Sequence, residues 1–297
     1  MARLRREART TSIPVIPVSR WTAIAEDARA ARLPLVVSSA FPEQAATWTP
    51  QRFAAEWPTQ EINVTVDLPL HGVPYREASD AHQRKMTVAD FVALLAQGRR
   101  CYLNQTALAD FPSLNRELDL RFLDLSRVFA VNLWVGGGTR SGLHYDHADN
   151  FFAQIYGSKR ALLVSPELSS FVYPFPDIPS KSQVDPEEPD LERHPKFARC
   201  DVWLAELAAG DGLYIPRGWW HFIAADDISI SVNCWHGDTL SERERVGMFL
   251  AGGPRVLWQT AYDFVQYGLL RRPYRGRMFS PPPLGLEIYR AVTARLK

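Results

Sequence analysis

The stretch Gly142-Leu143-His144-Tyr145-Asp146 decides the fold, read together with Trp219-Trp220-His221 further along. Side chains two apart on a β-strand point to one face, so a strand over 142–146 projects His144 and Asp146 together. His221 ends a second short apolar run and brings another imidazole. Two imidazoles and a carboxylate on one side of a metal ion leave its opposite positions open. A second His-x-Asp pair, His147 and Asp149, follows directly. Its odd offset turns it to the other strand face. It falls where the chain must turn before Phe151, and it is read as a solvated turn.

Around this stretch the texture is that of short strands separated by turn signals. Strands are expected at 101–104, 128–135, 142–146, 151–156 and 160–164, with Gly157-Ser158 as a tight hairpin between the last two. After a Pro- and acid-rich segment at 174–195, strands resume at 202–207, 212–215, 220–224 and 228–235. Many short strands with regular turns point to a sandwich or jelly roll.

Upstream, helices are expected at 20–32, 49–57 and 86–97, the last capped by Thr87 with Asp90 three residues on, and strands at 33–37 and 62–66. From Leu240 the apolar period returns to that of a helix, giving 242–250, 256–270 and 286–296, with Pro281-Pro282-Pro283 between the last two. The chain divides into a flexible basic tail over residues 1–19, a main domain over 20–239 and a C-terminal helical region over 240–297. The Arg-rich, acid-poor tail has the flavour of a mitochondrial presequence, but a disordered tail is the plainer reading.

Length bounds the rest loosely: 297 residues hold one large β-domain with elaborations or two small ones. A net charge of +1 gives no footprint for a nucleic-acid partner. No run approaches the ~18 apolar residues of a membrane span. Cys101, Cys200 and Cys234 show neither an even count nor C-x-x-C spacing, so they are read as thiols of an intracellular, cytoplasmic protein.

Several residues carry chemistry. His144, Asp146 and His221 have the composition of a facial triad for non-haem Fe(II). Lys159 opens an apolar strand; it is either an edge-strand lysine kept in water or a cation inside the barrel for the distal carboxylate of a dicarboxylic co-substrate. Ser141 and Tyr102 could add hydroxyl donors to that carboxylate. Asn150 and Asn233 are amides within apolar strands, bonded either to backbone or to a ligand. Gly136-Gly137-Gly138 lacks the Gly-Lys-Ser/Thr of a phosphate loop, and no Gly-x-Ser-x-Gly elbow supports a serine hydrolase.

The segment HYDHADNFFAQIYGSKR (144–160) resembles the JmjC-type, cupin-like 2-oxoglutarate oxygenases, and among them most the asparaginyl hydroxylase that inhibits the hypoxia-inducible factor. The likeness continues through YPFP (173–176), SQVD (182–185), PDLER (189–193), YIPRGWWH (214–221) and SVNCW (231–235). It spans roughly residues 100–237, and more faintly the chain from about residue 33. The resemblance implies a mainly β, double-stranded β-helix of jelly-roll or cupin type, with flanking N-terminal helices and a C-terminal helical extension. It implies Fe(II) held by His144, Asp146 and His221, the catalytic set, and it decides against His147 because Asn150 and Lys159 keep the family's distances from His144. It implies 2-oxoglutarate bound by Lys159, Tyr102 and Ser141, with Asn150, Asn233, Asn104 and Trp235 on the co-substrate side. Ser141 stands where that hydroxylase has threonine, and Asn104 where it has glutamine. The C-terminal helices are expected to form a homodimer.

The activity so implied is O2-dependent hydroxylation of a C–H bond in the side chain of a protein or peptide residue, with release of succinate and CO2. The loop between Pro176 and Ser182 is shorter than in the asparaginyl hydroxylase. Ser180-Lys181 replaces the Arg-Gln pair that reads the target there, so a different target residue is expected. The alternatives are a hydroxylase of small molecules or biosynthetic peptides and a non-catalytic metal-binding cupin. A demethylase is less favoured, because no accessory zinc motif or reader module is visible.

Overall fold

The computed structural model describes residues 9–67, 82–274 and 282–295. Two β-sheets face one another, their strands numbered β1–β15 in chain order. The larger has the order β2 (Val15–Pro17), β3 (Leu35–Ser38), β13 (Gly212–Ile215), β10 (Ala148–Tyr156), β15 (Ser229–Thr239), β7 (Val128–Gly137), β6 (Cys101–Ala107), β4 (Glu61–Val66), β5 (Gln83–Thr87). The smaller has the order β1 (Thr10–Ser12), β12 (Val202–Leu207), β11 (Lys159–Val164), β14 (Trp220–Ala225), β8 (Thr139–Arg140), with β9 (His144–Tyr145) also on β14. This is the jelly roll that the strand pattern leads one to expect.

Alternation along each strand sorts its side chains between two environments. In β10, Phe151, Ala153 and Ile155 face outward into a core shared with Trp21 and Phe41. The Trp21 and Phe151 rings meet edge to face at 5.3 Å, a preferred aromatic geometry. Phe152, from the same strand, points the other way and joins Val36, Leu213, Ala161, Leu163 and Leu207 between the sheets. On the outside of the smaller sheet, Leu162, Val164, Trp220 and Phe222 pack under the 166–200 segment.

Helices cover the outer face of the larger sheet: α1 (Val18–Ala31), α2 (Pro42–Thr47), α3 (Pro50–Glu56), α4 (Val88–Ala96) and α5 (Pro112–Glu117). Thr49 and Thr87 accept hydrogen bonds from the backbone N–H of Arg52 and Asp90, each at 3.1 Å, satisfying donors that a helix start leaves open. Three more helices follow the sheets: α6 (Glu242–Ala251), α7 (Pro254–Asp263) and α8 (Leu284–Arg295). A Ser241–Glu244 capping box starts α6.

Five expectations are corrected. Gly157-Ser158 is not a hairpin, because β10 and β11 lie in different sheets and the turn carries the chain from one to the other. Gly157 has φ +71°, and a Cβ there would lie 2.3 Å from the Ile228 carbonyl oxygen, so glycine is required for the crossing. The expected tail is ordered from residue 9: Ile13 is buried, and β1 and β2 extend one sheet each, while residues 1–8 lie outside the described residues. The strand expected over 142–146 is only His144–Tyr145, and Asp149 is not in a solvated turn but buried in β10, where it accepts the Arg217 N–H at 2.8 Å. The helix expected over 256–270 ends as α-helix at Asp263 and continues as a π-helix over Phe264–Leu269. Pro281 and Leu296 lie outside the described residues.

Candidate metal centre

The centre is built on one row of backbone pairing. Leu163 on β11 lies opposite His221 on β14, His221 lies opposite His144 on β9, and His144 is bridged in turn to Lys181. Directly opposed residues in an antiparallel pair share a face. Leu163 belongs to the core between the sheets, so the row turns both imidazoles inward. Asp146 follows just after β9, its carbonyl held by the Gly218 N–H at 2.9 Å.

The three side chains form the one cluster of His, Cys, Asp or Glu among the described residues whose ligand atoms all lie within 4.8 Å of one another. His144 Nε2 lies 3.9 Å from Asp146 Oδ1, and His221 Nε2 lies 3.7 Å from Asp146 Oδ2. Each ring directs its Nδ1 at a backbone carbonyl, His144 at Gly142 (2.8 Å) and His221 at Trp219 (3.0 Å). With Nδ1–H donating, the Nε2 lone pairs are left facing the carboxylate, the arrangement that metal-binding imidazoles require. The Trp235 indole donates to Asp146 Oδ2 at 3.1 Å and orients it. Burial drives the His144 pKa well below the usual imidazole value, helped by the neighbouring His221 and Lys181. Burial pushes the Asp146 carboxyl up, but His221, His144, Lys181 and the Trp235 bond outweigh it and hold the group low. Neutral imidazoles and an ionised carboxylate are the donor set of a divalent transition metal, so the residues fit Fe(II).

Behind the triad the inner wall is polar. Lys159 is buried inside the smaller sheet between β12 and β14, not on an edge, with its ammonium 5.2 Å from the Phe152 ring centre. No carboxylate among the described residues pairs with it, and desolvation alone lowers its pKa to about 7. Ser141 exchanges hydrogen bonds with Ile223, donating through its N–H (2.8 Å) and accepting the Ile223 N–H at Oγ (3.0 Å). Its hydroxyl proton is still available. Tyr102 lies opposite Gly136, where a Cβ would stand 2.7 Å from the ring; the glycine lets that ring lie against the strand.

Asn150 and Asn233 share the inner face, since Asn150 lies opposite Trp235 and Asn233 opposite Phe152. Both are buried, and each leaves a polar atom without a partner: Oδ1 of Asn150 and Nδ2 of Asn233. An unpaired cation together with orphaned amide atoms is costly unless a ligand completes it, and a dicarboxylate with a keto group would do so. Asn104 lies on the same side of β6 as Tyr102, just before a bulge at Gln105.

Two contributors lay outside the sequence reading. Trp134 Nε1 and Asn132 Nδ2 both donate to Asn233 Oδ1, at 2.7 and 3.3 Å, and fix which end of that amide is free. Strict alternation in β7, with Leu133 and Val135 in the outer core, was the signal that would have found them. Lys181, first singled out as a loop substitution, lies beside His144. His147 is exposed and apart from the row.

A family model described as a cupin-like domain matches residues 21–242. Lysine-specific demethylase 8 of Xenopus tropicalis is 36% identical over 183 residues, covering 58% of this chain and 41% of that protein. Lysine-specific demethylase JMJ31 of Arabidopsis thaliana is 30% identical over 151 residues, 44% of this chain and 28% of the relative. JmjC domain-containing protein D of Dictyostelium discoideum is 42% identical over 108 residues, 34% and 24% of the two chains. The chain thus spans about two fifths or less of the length of these relatives. With the jelly roll, the inward triad and a match over most of its length, the chain belongs to the cupin-like domain family, with JmjC-type proteins among its relatives.

Proposed function

We propose that this protein is an Fe(II)- and 2-oxoglutarate-dependent oxygenase that hydroxylates a C–H bond in the side chain of a protein or peptide residue. The observation that carries the reading is the pairing of an inward His144–Asp146–His221 set with a buried Lys159 that no carboxylate among the described residues neutralises. When bound, Fe(II) would supply the coupling of 2-oxoglutarate decarboxylation to C–H oxidation, one atom of O2 entering succinate and the other the product hydroxyl, with CO2 released.

The protein's own residues bind and orient. Lys159 holds the far carboxylate, assisted by the Tyr102 and Ser141 hydroxyls. The free Nδ2 of Asn233 donates to a co-substrate oxygen, while Asn150 and Asn104 line the remaining wall. Trp235 keeps Asp146 turned toward the imidazoles. Leu163, Phe152 and Leu213 exclude water from the reacting centre.

The same proposal takes residues 20–239 as the oxygenase domain and 240–297 as a homodimerisation region. Leu257, Trp258, Tyr262, Leu269 and Val292 are exposed on α7, the π-helix and α8, and they support the dimer. Three buried thiols, Cys101, Cys200 and Cys234, support a cytoplasmic setting. Among the described residues no helix is long and apolar enough to cross a membrane.

The names of the Xenopus and Arabidopsis relatives favour a second reading, N-methyl-lysine demethylation, in which the same oxidation falls on a methyl carbon. Anaerobic titration of metal-free protein with Fe(II) and then 2-oxoglutarate tests the shared part. A visible charge-transfer band is expected. Iron binding with no band on adding 2-oxoglutarate overturns the co-substrate claim and leaves a metal-binding scaffold. Mass spectrometry of methylated and unmethylated peptides then separates the two oxidations.

A further inference from the structure

Between β13 and β14 the chain reverses through Pro216-Arg217-Gly218-Trp219. Trp219 N–H donates to Pro216 O at 3.1 Å, and Gly218 at φ +82° supplies the left-handed residue that a type II turn requires at its third position. This turn reaches two metal ligands through its main chain. Gly218 N–H holds the Asp146 carbonyl at 2.9 Å, and Trp219 O faces His221 Nδ1 at 3.0 Å. A shift of the turn would move the carboxylate and rotate one imidazole together.

The N–H of Arg217, left over by these bonds, donates to Oδ1 of Asp149 at 2.8 Å. Asp149 follows Asp146 by three residues but belongs to the outward face of β10, opposite His236 of β15 and behind the wall that carries Asn150. It is 2% exposed, and Arg217 Nη1 lies 3.5 Å from its Oδ2. Gly237 passes so close that a Cβ there would stand 3.1 Å from Oδ2. Placing a carboxylate this deep is costly, whereas the bond it makes is specific. Segments 146–149 and 216–219 are joined at two points, Asp146 O to Gly218 N–H and Asp149 Oδ1 to Arg217 N–H. One hydrogen bond would leave a hinge; two, spaced three residues apart along the first segment, fix the angle between them.

Resting on the Fe(II) site of the oxygenase reading, we infer that Asp149 is a positioning residue of the metal centre, bracing from behind the turn that orients Asp146 and His221. It lies outside the ligand cluster and acts as the acceptor for one backbone N–H. The acceptor is what matters, so an amide in its place keeps the function and a methyl group does not. Outer partners of this kind contribute about 10–100-fold in metal affinity.

Four variants of the full chain separate the bond from the charge. Asp149→Ala removes the acceptor, and Arg217→Pro removes the donor at a turn position that proline favours. Asp149→Asn keeps the acceptor, and Arg217→Gln keeps the N–H while deleting the guanidinium. Anaerobic Fe(II) titration gives the Kd of each, urea unfolding without metal gives its stability, and the 2-oxoglutarate band is recorded alongside. Asp149→Ala and Arg217→Pro should raise the Fe(II) Kd about 10–100-fold, with Asp149→Asn and Arg217→Gln close to wild type. Where Asp149→Ala does not fold, Arg217→Pro carries the comparison. Four variants that bind Fe(II) as wild type does, however much less stable, overturn the inference and make Asp149 a packing residue. Asp149→Asn as poor as Asp149→Ala overturns it too, since the charge and not the bond then holds the turn. Fe(II) binding without the band overturns the oxygenase reading alone, and the dissociation constants still decide the role of Asp149. A wild type that binds no Fe(II) removes both.

Discussion

His144 and His221 face each other across an antiparallel pair, with ring centroids 4.2 Å apart and planes inclined at 50°. Two imidazoles so close repel if both are protonated, and each is committed at Nδ1 to a carbonyl, so only their Nε2 atoms remain for a shared ligand. The first prediction follows from this commitment. His144→Ala should abolish the Fe(II)–2-oxoglutarate band, whereas Trp235→Phe, which only frees Asp146 Oδ2, should weaken Fe(II) binding by roughly 10–100-fold. Anaerobic metal titration distinguishes the two, and equal binding by Trp235→Phe would show that the indole bond does not orient the carboxylate.

Lys159 gives a prediction about pH. Burial lowers its folded pKa from 10.5 to about 7, so between these values the unfolded chain binds more protons than the folded one. Stability of the ligand-free protein therefore rises as pH climbs from about 7 toward 10.5, and the burial penalty is present in full below pH 7. Lys159→Met should stabilise the ligand-free protein by ~2–4 kcal/mol at pH 6 and flatten that rise. It should also lose 2-oxoglutarate binding. Urea unfolding of both proteins across the pH range decides, and a less stable variant would falsify the unpaired-cation account.

Gly157→Ala tests the sheet crossing. The left-handed backbone and the Ile228 carbonyl both oppose a Cβ there. A loss of ~2–4 kcal/mol is expected in chemical denaturation, and a change below about 0.5 kcal/mol would fit only an ordinary surface turn.

The N-terminal strands give a fourth. Ile13 is 3% exposed, and backbone bonds join Ile13 N–H to Leu204 O, Val36 N–H to Pro14 O and Val202 N–H to Arg9 O, each at 2.9 Å. Removing residues 1–17 strips a buried isoleucine worth ~1.5–3 kcal/mol and bares an edge on each sheet. Thermal melts should show Tm lowered by roughly 5 °C or more. An unchanged Tm is what a loose tail would give.

Much of this was legible from particular residues. Strands β12 and β13 run where alternation and turn residues put them, and Thr87 caps α4 as its spacing with Asp90 announces. Tertiary pairing was not legible. Gly157-Ser158 has the same local chemistry in a hairpin as in a crossing, and only the partners of β10 and β11 tell them apart. Asp149 looked solvated because its partner, Arg217, is remote in sequence. The strands β1 and β2 hold three residues each, too few for any period to show. At the centre, residue types named the triad, but the Lys181 contact needed the pairing of a loop with β9, which no local pattern encodes.

The crossing at Gly157 has a temporal consequence. Because the backbone alternates between sheets, β9 meets its partner strand in β14, and β1 meets its own in β12. During synthesis, His144 and Asp146 leave the ribosome well before His221 exists, and β1 stays unclasped until residue 202 has emerged. A topology so dominated by distant pairings folds slowly, and the growing polypeptide passes through states that hold two of the three donors without a third. Metal capture is therefore an event that follows completion of the barrel, and iron supplied to a nascent polypeptide meets no finished site.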